Sequence, residues 1–231
     1  MITVRTAQER GHTRLDWLDS YHTFSFDQYY DPKNVSFGPL RVINEDTIAA
    51  GGGFGSHPHK DMEIITYVIE GALKHQDSLG TGSVIRPGEI QKMSAGSGIV
   101  HSEYNASKEK PVHLLQIWII PDKQNIQPRY EQKSFKLTPG QFTLLGSPNG
   151  DGLISIEQNV NLYALSVEPG MSVSRILPVK TIAWLQIVKG ICTVNGNELK
   201  AGDGAALSDE SNIEISAKQN TELLLFEILN S

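Results

Sequence analysis

Two pairs of metal-binding side chains stand out in the first half of the chain. His57 and His59 lie two positions apart, and so do His101 and Glu103. On a β-strand, residues i and i+2 point to the same face, about 6.5–7 Å apart, so each pair could converge on one ion. Imidazoles and a carboxylate together suit a first-row divalent metal. The stretch 51–103 therefore predicts a metal centre.

The identity of the carboxylate ligand stays open on spacing alone. Glu63 has the same parity as the two histidines of the first pair, so it competes with Glu103 for this role. His12, His22 and His113 are interpreted as structural, since a lone histidine is more often hydrogen-bonded than metal-bound. Residues that could at best lie beside the centre, and that more often carry surface charge or ordinary hydrogen bonds, are Lys60, Asp61, His75 and Gln116.

The spacing of turn signals indicates strands as the elements that position these side chains. Turn dipeptides recur every eight to twelve residues, as in β-sandwiches and barrels, at Glu70-Gly71, Leu79-Gly80, Pro87-Gly88 and Ala95-Gly96. Between and beyond them lie β-rich runs such as 64–69 and 114–120. We expect an all-β fold with few short helices, candidates for helical turns being 17–20 and 128–132.

A weak internal repeat predicts two similar domains. The segment 184–190, followed by a small-residue-Gly-acid turn at 201–203, echoes 66–71 followed by 87–89. We expect an N-terminal metal-binding barrel at 1–125, a connector at 126–150 and a degenerate C-terminal barrel at 151–231. All seven histidines precede the connector, so only the first barrel can hold an imidazole-ligated metal.

Composition narrows the functional classes. The formal net charge is −6 and no cluster of Lys or Arg is present, which argues against direct binding of nucleic acid or a membrane surface. The N-terminal residues resemble neither a signal peptide nor a transit peptide. Cys192 is the only cysteine, as is typical of a reducing compartment, and is expected to be a small buried apolar residue. These features predict a cytoplasmic protein, which we expect to be a monomer.

Two motifs resemble the cupin signatures. Gly51-x5-His57-x-His59-x3-Glu63 with a later Gly71 is similar to the first cupin motif, and Gly98-x2-His101-x3-Asn105 is similar to the second. More narrowly, the segments 22–26, 54–63 and 96–103 resemble the pirin family of bicupin proteins, which includes bacterial quercetinases. The resemblance implies two jelly-roll β-barrels in tandem, with the metal in the N-terminal one.

The resemblance also implies the ligands and the chemistry. It assigns the metal to His57, His59, His101 and Glu103, with Glu63 outside the ligand set. The implied metal is a divalent transition metal, Fe(II) foremost, with Cu, Ni, Co, Mn or Zn as alternatives. The implied reaction is the 2,3-dioxygenation of a flavonol such as quercetin by O2, with Glu103 as the catalytic proton acceptor. The aromatic segment 17–30 could cover such a planar substrate, although core packing is expected for most of it.

Two alternatives remain at this point. The resemblance also allows a non-catalytic iron-binding regulatory protein that senses redox state and acts through a protein partner. A metal-dependent enzyme acting on another small molecule is the third hypothesis, because one fold can host many functions.

Overall fold

The computed structural model describes residues 1–229, and nearly all of its regular structure is β-strand. The one helical element in that range is a 3-10 turn at Ala7–Glu9. The strands of the first half are β1 (Ile2–Arg5), β2 (Gly11–Arg14), β3 (Leu18–His22), β4 (Leu40–Ile48), β5 (Gly53–His59), β6 (Glu63–Glu70), β7 (Leu73–Asp77), β8 (Gly82–Ile85), β9 (Glu89–Ser94), β10 (Ile99–Asn105), β11 (Val112–Ile119) and β12 (Arg129–Ser134). Those of the second half are β13 (Thr143–Ser147), β14 (Ile154–Ser155), β15 (Val160–Val167), β16 (Ser172–Ile176), β17 (Thr181–Lys189), β18 (Ile191–Val194), β19 (Asn197–Lys200), β20 (Gly204–Leu207), β21 (Asn212–Ala217) and β22 (Thr221–Leu229). The prediction of an all-β fold is confirmed. No described helix is long and apolar enough to cross a membrane.

The two helical turns expected from the sequence are wrong. Residues 18–20 lie in β3, which pairs with β4, and residues 129–132 lie in β12, which pairs with β9. In both places, pairing with a neighbouring strand overrides the local turn signal.

The chain divides into two compact units. The first is Gly11–Phe135, and the second combines Met1–Arg10 with the chain from Lys136 onward. Each contains one seven-stranded and one four-stranded sheet. In the first unit, buried side chains from both sheets form one apolar cluster, Leu18, Ile48, Val68, Leu73, Ile85, Val112 and Leu114. Each unit is thus a sandwich of two packed sheets whose hydrogen bonding does not close into a ring.

The boundaries differ from the expected division into 1–125, 126–150 and 151–231. Strand β1 belongs to the second unit, where Val4 pairs with Ala205 on β20. The expected connector supplies a strand to each unit, because β12 pairs with β9 at a sheet edge and β13 pairs with β15. The polar sequence of β12 suits an edge strand exposed to water, and this polarity led to its interpretation as a connector.

The two units repeat the same sheet organisation, except at one edge, where β2 runs antiparallel to β3 but β14 runs parallel to β13. The four-stranded sheets run β5-β10-β7-β8 and β16-β21-β18-β19, and the seven-stranded sheets run β12-β9-β6-β11-β4-β3-β2 and β1-β20-β17-β22-β15-β13-β14. Strand β1 therefore takes the edge position that β12 takes in the first unit. Gly71 and Gly190 follow the equivalent strands β6 and β17 with φ of 82° and 84°. An added Cβ would come within 2.7 Å and 2.2 Å of a backbone oxygen at these two positions, so both turns require glycine.

Candidate metal centre

Neighbouring strands of the four-stranded sheet bring the three predicted histidines together. Strand β10 pairs with β5 so that His101 lies opposite His57, and Ile99 lies opposite His59. One ring nitrogen from each histidine falls within 4.8 Å of the other two. The ring centroids are 4.4 Å to 4.9 Å apart. The i, i+2 spacing on strands thus places His57, His59 and His101 around one point, as the sequence predicts.

Glu103 lies next to this cluster, on the same buried face of β10 as His101. A ligand atom of Glu103 and one of His101 lie within 4.8 Å of each other and of a nitrogen of His75. Gln116 Nε2 donates a hydrogen bond of 2.7 Å to Glu103 Oε2, and Thr66 Oγ1 donates one of 3.1 Å to Gln116 Oε1. Burial raises the pKa of Glu103, and the hydrogen bond from Gln116 opposes that rise.

The histidine nitrogens fit a metal ion. Neither ring nitrogen of buried His101 has a hydrogen-bond partner among residues 1–229. Such an unpaired group costs about 1–3 kcal/mol when buried, and a metal would satisfy one of these nitrogens. His57 Nδ1 lies 2.7 Å from the carbonyl oxygen of Gly55, so it carries the proton and leaves Nε2 free to coordinate. Burial lowers the pKa of His101 to about 2 and that of His59 to about 4, which keeps both imidazoles neutral near pH 7. This donor set fits a first-row divalent metal.

Glu63 lies outside both groups of potential ligands. Asp61 adopts a left-handed conformation, with a φ of 48°, and lies between β5 and β6, which belong to different sheets. The parity count from His59 to Glu63 assumed one continuous strand and therefore does not hold. The carboxylate of Glu63 instead lies 3.4 Å from Nζ of the fully buried Lys92, which also lies 3.0 Å from Glu131.

Most other polar residues singled out in the sequence have local roles. His12 pairs with Asp19 at 2.6 Å, and His113 pairs with Glu45 at 2.9 Å. Asp61 accepts a hydrogen bond from the backbone N–H of Asn125, at 2.6 Å. Lys60 is exposed. His22 is buried between Thr13 and Asn44, and each hydrogen bond is 2.9 Å long.

A pocket of about 290 Å³ opens onto the metal centre. Its walls are mainly apolar and include Trp17, Leu18, Phe26, Phe54, Ile64 and Trp118. Trp17 and Phe26 come from the aromatic segment, whereas Phe24 of the same segment is buried in the protein interior. Two rings of this segment are therefore placed where they can contact a ligand, as the sequence allowed.

One wall of the pocket is polar, and sequence reasoning missed it. Ser20, His22, Asn44 and Asp46 line it. Asp46 is buried and accepts a hydrogen bond from Ser20 Oγ, and burial raises its pKa to about 7. These residues lie on the paired strands β3 and β4. Polar residues at alternate positions of one strand were the signal that could have found this wall.

Two β-sandwich units with His-x-His and His-x-Glu on adjacent strands define a two-domain cupin protein. The pirin family model matches residues 3–119, and a model described as the quercetinase C-terminal cupin domain matches residues 144–228. The chain belongs to the pirin family, and the prediction of tandem cupin domains is confirmed.

Relatives match over the whole chain. A protein of Escherichia coli K12 named quercetin 2,3-dioxygenase is 48% identical over 229 residues, which cover 99% of each chain. The crystal structure of the bacterial pirin YhhW from E. coli in complex with nickel(II) superposes with a TM-score of 0.95, at 47% identity and complete coverage of both chains. The structure of GK1651 from Geobacillus kaustophilus is more distant, with a TM-score of 0.81 and 28% identity over 97% of this chain and 94% of that one.

Proposed function

We propose that this protein is a metal-dependent dioxygenase that uses O2 to open the heterocycle of a flavonol such as quercetin. The observation that carries this proposal is the cluster of His57, His59 and His101, with buried Glu103 beside His101, lining a mainly apolar pocket. The relative named quercetin 2,3-dioxygenase, at 48% identity, supports the choice of substrate. We place the reaction in the cytoplasm.

The four residues His57, His59, His101 and Glu103 would hold a divalent transition metal. We favour iron(II), and the nickel(II) complex of a relative supports a site that accepts several first-row metals. With three neutral imidazoles and one carboxylate, a divalent metal would have a net charge of +1 here, which would favour an anionic substrate oxygen and a lowered pKa of the substrate hydroxyl.

The surrounding residues orient the substrate and receive its proton. Glu103, held by Gln116, is the proposed acceptor of the flavonol hydroxyl proton. Trp17, Phe26 and Trp118 would cover a planar ring system and exclude water from it. Asp46 on the polar wall would hydrogen-bond a hydroxyl of the substrate.

The test is oxygen uptake together with loss of the flavonol absorption band, measured at known metal loading. Glu103→Gln should retain much of the metal and lose turnover, because an amide cannot accept the proton. Glu63→Gln is the matched control: it should keep both metal and turnover. It should lower the free energy of unfolding by up to about 3 kcal/mol, at the lower end for a broken buried pair, because Lys92 keeps Glu131 as a partner. If Glu63→Gln loses more metal or turnover than Glu103→Gln does, the carboxylate ligand has been misassigned.

The absence of oxygen uptake by the wild-type protein at every metal loading would contradict the dioxygenase proposal. Such a result, together with stoichiometric iron, would favour a non-catalytic regulator that acts through a protein partner.

A further inference from the structure

A buried histidine–aspartate pair lies directly beside the metal centre. His75 and Asp77 both lie on β7, and His75 Nε2 is 2.9 Å from Asp77 Oδ2, with both side chains fully buried. Strand β7 pairs with β10 so that His75 faces Glu103, and Asp77 faces His101. The inner face of β7 therefore presents this pair to two of the proposed ligands.

Asp77 determines which nitrogen of His75 carries the proton. Its Oδ1 accepts hydrogen bonds from the backbone N–H groups of Leu79, at 2.9 Å, and Thr81, at 3.0 Å. A carboxylate held in this way is an acceptor, so His75 Nε2 must donate to Oδ2. In the neutral ring, Nδ1 then has a free lone pair. This atom is buried and has no hydrogen-bond partner within residues 1–229.

His101 lacks an acceptor for a ring N–H. When one of its nitrogens presents a lone pair to a metal shared with His57 and His59, the other nitrogen carries a proton and must donate it. Neither nitrogen has a partner in the described part of the chain. The rings of His75 and His101 are 5.3 Å apart between centroids, and a nitrogen of each lies within 4.8 Å of the other. A buried donor without an acceptor thus lies beside a buried acceptor without a donor.

We propose that His75, oriented by Asp77, is a positioning residue that accepts the ring N–H of His101 in the metal-loaded centre. This pairing fixes the tautomer in which His101 presents its other nitrogen to the metal. Ligand histidines usually donate their second ring N–H to such a partner, and loss of that partner typically weakens metal binding about 10–100-fold. The inference rests on the proposed metal site.

Three variants separate a hydrogen-bonding role from a packing role. His75→Leu removes the acceptor, whereas His75→Gln retains an acceptor oxygen. In Asp77→Asn, the N–H groups of Leu79 and Thr81 hold the amide oxygen at the Oδ1 position, so the amide nitrogen faces His75 Nε2. That arrangement moves the His75 proton to Nδ1, which then cannot accept from His101.

The first measurement is the affinity for nickel(II), determined by competition with a chelator. His75→Leu and Asp77→Asn should bind nickel(II) about 10–100-fold more weakly than wild type. His75→Gln should recover most of this loss. The control is His12→Leu, which breaks the half-exposed His12–Asp19 pair and should leave the affinity unchanged.

The second measurement is independent of metal. The ¹⁵N shifts of the histidine rings in the metal-free protein should report the Nε2–H tautomer of His75 in wild type and the Nδ1–H tautomer in Asp77→Asn. Thermal unfolding of each metal-free variant identifies any change that acts only through folding.

The outcomes are distinguishable. A wild-type protein that binds no nickel(II) contradicts the metal site and, with it, this role of His75. A wild-type protein that binds nickel(II), with Asp77→Asn and His75→Leu within about twofold of it, overturns the role of His75 alone. Equal losses in His75→Leu and His75→Gln, or an unchanged His75 tautomer in Asp77→Asn, also overturn it.

Discussion

The two cupin units share one strand order but differ in what their inner faces carry. In the first unit, the buried face of β10 presents His101, Glu103 and Asn105. In the second unit, the buried positions of the equivalent strand β21 are Ile213, Ile215 and Ala217. The same sheet organisation thus supports either polar or apolar side chains on the inner face of this strand.

The partner strands differ in a corresponding way. Ile213 pairs with Arg175 on β16, just as His101 pairs with His57 on β5. The guanidinium of Arg175 contacts the buried carboxylate of Glu227, with Nη2 3.2 Å from Oε2, and lies 3.9 Å from the ring centroid of Tyr163. In this unit a positive charge is built into the chain, whereas in the first unit we assign that charge to a metal.

The largest expected effect on metal binding comes from replacing His101 with isoleucine, the residue at the equivalent position 213 of the second unit. His101→Ile should weaken nickel(II) or iron(II) binding by more than about 100-fold, beyond the loss typical of changes around the ligands. The same substitution at His113, whose ring pairs with Glu45, should leave the affinity unchanged. Metal analysis after dialysis measures the metal content of both variants. Retention of stoichiometric metal by His101→Ile would contradict the assignment of His101 as a ligand.

A change in the second unit should affect stability without affecting metal. Arg175→Met leaves the carboxylate of Glu227 buried without its cation, so the free energy of unfolding should fall by about 3–5 kcal/mol. Lys218→Met, which removes an exposed ion pair with Glu198, should lower it far less, because solvent screens that pair. Denaturant unfolding measures the difference. A loss of metal in Arg175→Met would show that the two units are not separate in function.

The smallest expected effect is a pH dependence from Asp46 on the polar wall. Burial raises its pKa to about 7 in the folded chain. Between the usual aspartate range and about pH 7, the folded state therefore keeps a proton on Asp46 that the unfolded state has released. Wild-type stability from this group therefore falls as pH rises through that window, by about 1.4 kcal/mol per pH unit. Asn mimics the protonated form and abolishes this dependence.

Between about pH 5 and pH 8, the free energy of unfolding of Asp46→Asn minus that of wild type should increase by about 2–3 kcal/mol. Because only the difference is used, contributions from the histidines cancel. A difference that does not change with pH would contradict the raised pKa of Asp46.

The sequence predicts those parts of the site that depend on local alternation. The pairs His57/His59 and His101/Glu103 are readable because i and i+2 share a face on any strand. The sequence does not decide between Glu103 and Glu63. That choice depends on Asp61, which adopts a left-handed conformation between two strands.

Features set by long-range pairing also escape sequence reasoning. The pairing of Val4 with Ala205 joins residues from opposite ends of the chain, and no local pattern indicates it. Asp77 reads as an ordinary polar residue before a turn. Its full burial against His75 depends on how the two sheets pack.

The most direct test of the proposed metal centre is a crystal structure of the wild-type protein with nickel(II) or iron(II), with anomalous diffraction recorded at the metal edge. The expected result is one anomalous peak in the first unit, within bonding distance of His57, His59, His101 and Glu103, and none in the second unit. A peak ligated by Glu63 in place of Glu103, a peak in the second unit, or no peak at all would contradict the assignment of the metal to these four residues.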